Sequence, residues 1–508
     1  MPLPMAPGLL ICGMRTQPGR TTNPRPSLRA VARTKTLAAG FVLGVQQPDA
    51  KAQLAAQATV ALETLIGPAV RDLRDHPWIA IDELASRDLD QISVADVLPD
   101  GATRLRVAIA DVDAWVPEGS PLDRHAARNA ASVFTGVVTY PMLPEPLALG
   151  RASLLAGEDR LALVVELIVA PDGTVRSVDA SRALVRNRAQ LDYDAAGRWL
   201  AGEATALPAA VEPPTIGEQL RLHEAVAQAL RDRRLAAGAL DLVRLAVQPI
   251  FDGDRVVDLV VVPPNRARTL IEELMVAANA AIARVLRASA LPWIARTQTA
   301  RDWGGLIDLA AASGYALPTE PDHRAFGALV HQLRATDPDG FAALQPALAR
   351  LLGGSEDLVL LPDEEPAPHY GLALDAYTRA TAPLRRYRDL LTQRLLKAAL
   401  AGQPAPYTVD ELDDLVEHCG ERERAAETVE REMVKIYGSV LMQERTHEVF
   451  DATVSAANDY GVWARLDQPP VEGRLVEAAA SLERGDRIRV RVTRTNWERG
   501  FVDLMLVP

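Results

Sequence analysis

The sequence predicts an α+β protein that ends in a small β-barrel, and two patterns support this class. Short apolar strands come first, around residues 78–81, 104–109 and 161–169, and helical periodicity follows from about residue 212. Near the carboxyl terminus, five short runs of strand-forming residues alternate with turn residues. Five strands in so short a stretch suit a barrel of the OB-fold type.

The helical part of the chain contains one run, residues 270–286, that is apolar nearly all round, which predicts a buried helix. Apolar periodicity predicts further helices at residues 217–235, 384–400 and 409–443. The barrel strands are predicted at residues 448–454, 461–466, 473–477, 487–493 and 501–506. The strands of the main domain therefore precede its helices, and a separate barrel follows.

The chain divides into four predicted parts. Residues 1–47 carry basic but no acidic residues among prolines and small side chains, which predicts a flexible basic arm. Residues 48–74 predict a short helical element. Residues 75–445 form the α+β domain, and residues 446–508 form the barrel.

Composition limits the class of protein. The chain has 508 residues, of which 48% are hydrophobic and 24% are charged, so a disordered or collagen-like chain is excluded. No run approaches the roughly 18 apolar residues that a membrane helix needs, and we expect a soluble protein without a membrane partner. Two cysteines, Cys12 and Cys419, make no disulfide framework and no zinc pattern, which favours a cytoplasmic location.

The net charge of −12 excludes a protein that coats nucleic acid with its whole surface, but it permits a channel with positive walls. The only lysines are Lys35, Lys51, Lys397 and Lys435, and all other cations are arginine. A GC-rich genome would explain this bias. Arginine forks that bind phosphates bidentately would explain it as well, and composition does not separate the two.

An acidic cluster follows the first apolar strand. Asp88 and Asp90 are two positions apart, so in an extended segment both side chains lie on one face, and Asp82 at the strand end can join them. Gathered hard oxygen ligands suit magnesium, or manganese in its place. The alternative is a solvated acidic loop of the kind that many proteins carry.

Two further groups of residues are candidates for binding. The segment 377–389 carries Arg379, Arg385 and Arg386. Pro383 in this segment is predicted to open a helix. The backbone amides of a helix start together with guanidinium groups form an anion site. A solvated charged surface is the alternative interpretation. Glu272, at the start of the most apolar helix, either complements the helix dipole or faces a site.

Several blocks of sequence together resemble the catalytic domain of the ribonuclease II (RNB) family. The blocks are residues 109–116, 118–123, 141–144, 157–160 and 270–279, followed by the segment around Arg385, and they occur in the order of that family. The resemblance covers most of the chain. It implies a processive, magnesium-dependent, hydrolytic exoribonuclease that degrades single-stranded RNA from the 3′ end and releases nucleoside 5′-monophosphates.

The resemblance also implies roles for the acidic cluster. Asp82, Asp88 and Asp90 match the first three active-site aspartates of the family, and Asp90 matches the one most closely identified with catalysis. Arg385 matches the arginine that holds the phosphate near the scissile bond. The fourth aspartate of the motif is Gln91 here, which is expected to act as a neutral metal ligand for one of the one or two ions.

RNA-binding residues follow from the same resemblance. Glu272 and Glu430 match glutamates that line the site of the 3′-terminal nucleotide, and Phe134 stands where relatives place a clamping tyrosine. Leu242 occupies the position of a second clamping aromatic, which weakens that half of the clamp. Arg379 and Arg386 of the arginine segment are also predicted to bind RNA. Tyr460 and Trp463 of an S1-like barrel are further candidates, because aromatic rings stack on bases. For Tyr460 and Trp463, a role in the barrel core is an equal alternative.

Members of this family usually carry two cold-shock domains before the catalytic domain, and Asp82 lies too early in the sequence for them. We expect a monomer without a nucleotide cofactor. Two rival functions stay open. One is a catalytically inert RNA-binding protein that lost a metal ligand at Gln91, and the other is a helical and OB-fold scaffold for another protein.

Overall fold

The computed structural model describes residues 27–203, 207, 215–240, 246–477 and 482–507. In this part of the chain, a six-stranded sheet with helices packed on it is followed by a closed five-stranded barrel, which confirms the predicted α+β class and the predicted barrel. The α-helices are α1 (Leu28–Ala38), α2 (Pro48–Gln57), α3 (Pro121–Asn129), α4 (Tyr193–Leu200), α5 (Thr215–Ala236), α6 (Arg266–Arg287), α7 (Trp303–Ala312), α8 (His323–Thr336), α9 (Pro338–Leu351), α10 (Tyr387–Ala401) and α11 (Val409–Gln443).

The strands form one large sheet, three two-stranded sheets and the barrel. The large sheet has the order β1-β8-β2-β3-β4-β7, and β8 also pairs with β7, so this long strand joins both ends of the sheet. The strands are β1 (Arg71–Asp72), β2 (Trp78–Asp82), β3 (Gln91–Val97), β4 (Thr103–Ala110), β5 (Val133–Phe134), β6 (Thr139–Tyr140), β7 (Asp159–Val169), β8 (Val175–Asp192), β9 (Val247–Asp252), β10 (Arg255–Val261), β11 (Trp293–Thr297), β12 (Glu356–Leu360), β13 (Val449–Asn458), β14 (Gly461–Leu466), β15 (Glu472–Leu475), β16 (Arg487–Asn496) and β17 (Phe501–Val507).

Helix α6 is the central helix of the main domain. Its apolar residues, among them Leu270, Leu274 and Ile282, are buried against the sheet and against α4, α5 and α10. Each such side chain contributes about 1.5–3 kcal/mol by leaving water. The prediction of a buried helix here is confirmed, and α6 is thereby a rigid support for Glu272 near its amino-terminal end.

The barrel follows helix α11 directly. Its strands close in the order β13-β14-β15-β17-β16, and alternate residues such as Val490, Val492 and Leu504 fill the interior. Because side chains in a strand alternate between two faces, the intervening residues face outward. This alternation leaves charged residues of β16 on the outer surface.

The amino-terminal part differs from the prediction. Residues 28–38, assigned to a flexible arm, form helix α1, which packs on α11 through buried Leu28 and Ala32. Ion pairing of Lys35 with Glu432 at 2.8 Å adds to this contact. The rest of the predicted arm, residues 1–26, lies outside the described residues.

The predicted helical element at residues 48–74 is only partly helical. Helix α2 ends at Gln57, a single 3₁₀ turn covers Leu62–Leu65, and β1 then pairs in parallel with β8. The conformation at the end of this region depends on backbone pairing with a strand more than a hundred residues later in the chain. No local sequence pattern reveals such pairing.

Helix α10 begins three residues later than predicted. Pro383 does not open it, because Arg386 is held in an extended conformation (φ −135°, ψ 119°) by a backbone bridge to Ala131. The helix therefore begins at Tyr387. Among the helices described, none is long and apolar enough to cross a membrane.

A buried arginine links α10 to the loop before α3. Arg394 donates hydrogen bonds to Asp113 at 2.8 Å, to Asp123 at 2.7 Å and to the Val116 carbonyl at 2.7 Å, and its side chain is 3% exposed. We predict that Arg394→Leu destabilises the protein by about 3–5 kcal/mol, because Asp123 would stay buried without its cation. Urea unfolding followed by circular dichroism measures the loss.

The matched control removes an arginine from the exposed ion pair between Arg176 and Asp100. Arg176→Leu should leave the unfolding midpoint close to that of the wild type, because an exposed pair adds little to stability. Equal midpoints for the Arg394 and Arg176 variants would show that the buried cluster does not hold the domain together.

Candidate active site

Asp90 lies where the sheet meets the helical half of the main domain. It directly precedes β3, and its backbone carbonyl accepts a hydrogen bond from Ala110 at the end of β4. The Asp90 side chain is 5% exposed. One carboxylate oxygen accepts from the backbone N–H of Leu384 at 2.8 Å, and the other lies 3.5 Å from Nε of Arg385. The structure thus brings together Asp90 and Arg385, two predicted catalytic residues.

The carboxylate of Asp90 is costly to keep charged in this position. Burial raises its pKa to about 7, and the charge of Asp88 acts in the same direction, while Arg385 and the N–H of Leu384 lower it. A divalent cation beside Asp90 would favour the ionised form. The electrostatics of the site therefore suit a cation.

Asp88 lies close enough to both Asp82 and Asp90 for its charge to act on them. Burial raises the pKa of Asp82, and the negative charge of Asp88 contributes to that shift as well. The loop that carries Asp88 is fixed by the buried Ser153 hydroxyl, which donates to the Arg87 carbonyl at 2.7 Å and accepts from the Leu89 N–H at 2.9 Å. Asp88 is thus the carboxylate whose charge acts on both Asp82 and Asp90.

In the described residues, no group of three or more Asp, Glu, His or Cys side chains has the arrangement of a metal site. Magnesium, however, is usually bound through one or two protein carboxylates together with waters and substrate phosphate oxygens. Pairs drawn from Asp82, Asp88 and Asp90 provide that donor set. Gln91, the first residue of β3, is half-buried, and its amide has no hydrogen-bond partner among the residues described.

The segment that carries Arg385 is held from several sides. Asn279 of α6, 3% exposed, accepts from the Ala380 N–H at 2.9 Å and donates to the hydroxyls of Tyr377 at 3.1 Å and Thr381 at 3.2 Å. Further along, the buried carboxylate of Asp389 accepts from the Ala382 N–H at 2.9 Å. These bonds fix the backbone on the amino-terminal side of Arg385.

The other side of this segment is connected to the predicted clamp residue. The Ser132 N–H donates to the Arg385 carbonyl at 3.0 Å, and two residues later Phe134 lies in β5. Phe134 is 40% exposed, and its N–H donates to the Glu430 carboxylate at 2.8 Å. Burial raises the pKa of Glu430, and this N–H and Arg385 oppose the shift. Phe134, Glu430 and Arg385 therefore belong to one site.

Helix α6 begins at Arg266, so Glu272 does not lie in its first turn, where a carboxylate would complement the helix dipole. Glu272 and the adjacent Glu273 have different surroundings. Glu272 is exposed, whereas Glu273 is buried and pairs with Arg234 of α5 at 2.5 Å and 3.0 Å. The charge of Glu273 is thus balanced by Arg234 in the interior. Glu272 is the one at the protein surface.

Arg379 and Arg386 have partners inside the protein. Arg379 pairs with Glu423 at 2.8 Å and with Asp357 at 3.4 Å, and its side chain is 13% exposed. Arg386 pairs with buried Asp389 at 2.6 Å. Both guanidinium groups therefore support the fold of the segment around Arg385, and Arg385 is the more accessible arginine, at 45% exposed.

A cleft of about 840 Å³ separates the main domain from the barrel. Phe134 and Glu430 line it from one side, and Trp463 of β14 lines it from the other. Tyr460 is 82% exposed at the turn before β14. Leu242, at the position of the second clamping aromatic, lies outside the described residues.

Sequence reasoning missed Tyr193 at the edge of the site. Strand β8 pairs with β2 so that Asp192 lies opposite Asp82, and Tyr193 therefore follows directly beside the acidic cluster. Burial, and then the charge of Asp82, raises the pKa of the Tyr193 hydroxyl. Arg268 stacks on its ring at 4.5 Å. The sequence did not delimit β8, whose charged residues are interspersed irregularly with apolar and small ones.

Comparison with known proteins identifies the family. Residues 70–402 match the RNB domain, and residues 448–507 match the RNase II-type exonuclease C-terminal S1 domain. The first match covers more than half of the chain. The chain therefore belongs to the RNB family, as the sequence motifs predicted.

Curated relatives and solved structures agree with this assignment. Ribonuclease R of Thermotoga maritima is 28% identical over 89% of this chain and 66% of its own length. Exoribonuclease 2 of Escherichia fergusonii is 34% identical over 69% of this chain and 54% of its own length. The chain thus spans about half to two thirds of these relatives.

Structural similarity extends over nearly the whole chain. The structure of Mycoplasma genitalium RNase R in complex with ribose-methylated single-stranded RNA superimposes with a TM-score of 0.81 over 95% of this chain and 78% of that one. Sequence identity is 20%, so this similarity establishes the shared fold alone.

The contacts of Asn279 lead to a prediction about local stability. Asn279→Leu should leave the Ala380 N–H buried without an acceptor, at a cost of about 1–3 kcal/mol. Hydrogen exchange of peptides that cover residues 377–387 should then become about tenfold faster, because local opening becomes easier. Mass spectrometry measures this rate.

Asn187→Leu is the matched control, since Asn187 is also a buried amide that bonds to backbone, at Leu154 and Ala189. This variant should leave exchange in residues 377–387 unchanged. Equal acceleration in both variants would mean that Asn279 stabilises the domain in general and not this segment.

Proposed function

We propose that this protein is a hydrolytic exoribonuclease that degrades single-stranded RNA from its 3′ end and releases nucleoside 5′-monophosphates. The observation that carries the proposal is the pairing of buried Asp90 with the accessible Arg385 beside further carboxylates. Membership of the RNB family supports it, as do the relatives named ribonuclease R and exoribonuclease 2. Fold alone does not determine activity, which depends on the geometry and charge of the site.

Arg385 is the residue that would bind the scissile phosphate. Its guanidinium presents a planar set of donors that matches two phosphate oxygens, and it stabilises the negative charge that grows during hydrolysis. Asp90 contributes by bonding the Leu384 N–H, which fixes the backbone next to Arg385. Water attacks phosphorus and the bond to the 3′ oxygen breaks, so the phosphate leaves with the terminal nucleotide.

Asp82, Asp88 and Asp90 would hold one or two divalent ions, with Gln91 as a neutral ligand. When bound, magnesium, or manganese in its place, would activate the water and stabilise the leaving oxygen. The raised pKa values of Asp82 and Asp90 support this assignment, because a nearby cation favours both ionised carboxylates. No nucleotide cofactor is part of the proposal.

The RNA strand would reach this centre through the cleft between the barrel and the main domain. Phe134 would stack on a base, which is worth about 1–3 kcal/mol and does not depend on sequence. Glu430, fixed by the Phe134 N–H, and Glu272 would contact the terminal nucleotide. Trp463 on the opposite wall would offer a second stacking surface. We expect a monomer in the cytoplasm.

A degradation assay tests the function and both rivals. A 5′-labelled oligoribonucleotide should shorten from its 3′ end with release of 5′-monophosphates in magnesium, and EDTA should stop the reaction. Tight RNA binding without release would instead support an inert RNA-binding protein. Absence of binding and of release would support a scaffold for another protein.

We predict that Asp90→Asn abolishes turnover but not RNA binding. The amide keeps the size of the side chain but removes the charge of Asp90, whereas the RNA is held by contacts elsewhere. The rate should fall by more than about tenfold, which corresponds to ~1.4 kcal/mol of barrier, while the dissociation constant changes little. Single-turnover kinetics and filter binding measure the two quantities.

Asp100→Asn serves as the control, because Asp100 pairs with exposed Arg176 beyond the end of β3 that is remote from Asp90. It should keep the wild-type rate. Retention of more than a tenth of wild-type turnover by Asp90→Asn would remove Asp90 from the mechanism.

We also predict that Gln91→Asp lowers the magnesium concentration that the protein needs. Two divalent ions carry four positive charges, and the three aspartates with one scissile phosphate balance them only when RNA is bound. A fourth carboxylate would provide this balance before RNA binds. Two measurements test the change: magnesium titration of activity, and the rise in unfolding temperature with magnesium in the absence of RNA.

The Gln91→Asp variant should saturate at lower magnesium in both measurements. If both pairs of curves coincide, Gln91 does not contact the metal. If the wild type is inactive at every magnesium concentration, the inert RNA-binding protein is the better explanation.

A further inference from the structure

Strand β16 of the barrel carries a row of arginines on its outer face. Arg487, Arg489 and Arg491 alternate with residues that point inward, of which Val490 is fully buried. Arg487 and Arg489 are exposed, and Arg491 is half-buried. Residues two apart in a strand are separated by about 6.7 Å. The row is therefore a regular line of positive charge on a protein whose net charge is −12.

These arginines have few partners in the described chain. No carboxylate lies within ion-pair distance of Arg489 or Arg491 among the residues described, although Asp451 is opposite Arg489 in the strand register. Arg487 is 83% exposed and lies 3.8 Å from Asp467. The arginines around Asp357, in contrast, are paired with carboxylates in the interior. The row on β16 is thus available to an external anion.

The outer face of β17 lies between the row and the cleft, and it carries Met505, Asp503 and Phe501. Met505 of β17 lies opposite Arg491, and Phe501, further along the outer face of β17, lines the cleft together with Trp463 and Phe134. Met505 is 36% and Phe501 is 57% exposed. Because neighbouring strands are only about 4.8 Å apart, a strand of RNA in the cleft can extend over β17 to the arginines.

We propose that Arg487, Arg489 and Arg491 form an entry track that binds the phosphates of single-stranded RNA before it reaches the cleft. Guanidinium forks bind phosphate bidentately, and Phe501 provides a stacking surface between track and cleft. The inference rests on the function proposed above in taking RNA as the ligand. It adds a second binding surface, outside the cleft, that acts only on strands long enough to reach it.

The test compares two triple variants with the wild type. The track variant is Arg487→Gln, Arg489→Gln and Arg491→Gln. The control variant is Arg284→Gln, Arg301→Gln and Arg350→Gln, which removes the same charge from exposed positions of α6, the segment before α7, and α9. The probes are fluorescent oligouridylates of about 30 and about 5 nucleotides, since one OB fold covers roughly 4–16 nucleotides. Anisotropy in EDTA gives the affinity without cleavage.

The track variant should bind the long probe at least about tenfold more weakly at low salt, and should lose much less affinity for the short probe. The slope of log affinity against log salt should become shallower by about 2, because each phosphate contact to a single strand contributes about 0.7. The control variant should match the wild type in affinity and in slope. This pattern supports the track.

Equal losses in both variants would overturn the inference, because the effect would then come from net charge. Unchanged affinity of the track variant for the long probe would overturn it as well, and would point to another partner for the row. If the triple variant does not fold, Arg489→Gln and Arg491→Gln are measured singly, each with an expected slope change of about 0.7.

A failure of the proposed nuclease function can be distinguished from a failure of the entry track. Release of 5′-monophosphates from the short oligonucleotide by the wild type in magnesium tests that function and does not involve the track. A wild type that binds the long probe but releases nothing contradicts the nuclease, and the affinity comparison still decides the track.

Discussion

The hydrogen bond from the Leu384 N–H to buried Asp90 joins two parts of the chain that are 294 residues apart. Asp90 belongs to the sheet and Leu384 to the segment before α10, and no other element sets their distance so directly. Because a buried carboxylate without a partner is very costly, this contact strongly favours one position of the Arg385 backbone. The position of Arg385 thus depends on the folding of both halves.

The supports around this bond act together. Asn279 and Asp389 satisfy the backbone before Arg385, and Ser132 satisfies the carbonyl of Arg385 and leads to Phe134. Each of these contacts gives a backbone N–H or carbonyl its hydrogen-bond partner, and a buried backbone group left without a partner is costly. The arrangement therefore couples Arg385, which we propose binds phosphate, to Phe134, which we propose stacks on a base, through the backbone.

Local sequence patterns predicted much of this site. Features that depend on pairing between distant parts of the chain were not predicted. The spacing of Asp88 and Asp90 and the periodicity of α11, whose predicted and observed ends coincide, are properties of short stretches of sequence. The partners of Arg379 are not, whereas Arg386 pairs with Asp389 of its own segment. Glu423 and Asp357 are distant in sequence from Arg379, so nothing in its own segment distinguished an internal ion pair from an RNA contact. For the same reason the pairing of β8 with β2, and with it the position of Tyr193, was missed.

The difference between internally paired and accessible arginines bears on why the chain contains so many of them. Composition left two explanations open, a genomic bias and phosphate binding, and the structure adds a third use, because Asp357 alone receives three guanidinium groups in the interior. An arginine neutralised in this way contributes little to RNA affinity, whatever its position in a motif. The arginines relevant to RNA are those that burial and carboxylates leave available. Arg385 meets this condition through its accessibility, and the row on β16 meets it through its lack of partners, so an acidic protein can still present a positive path to RNA.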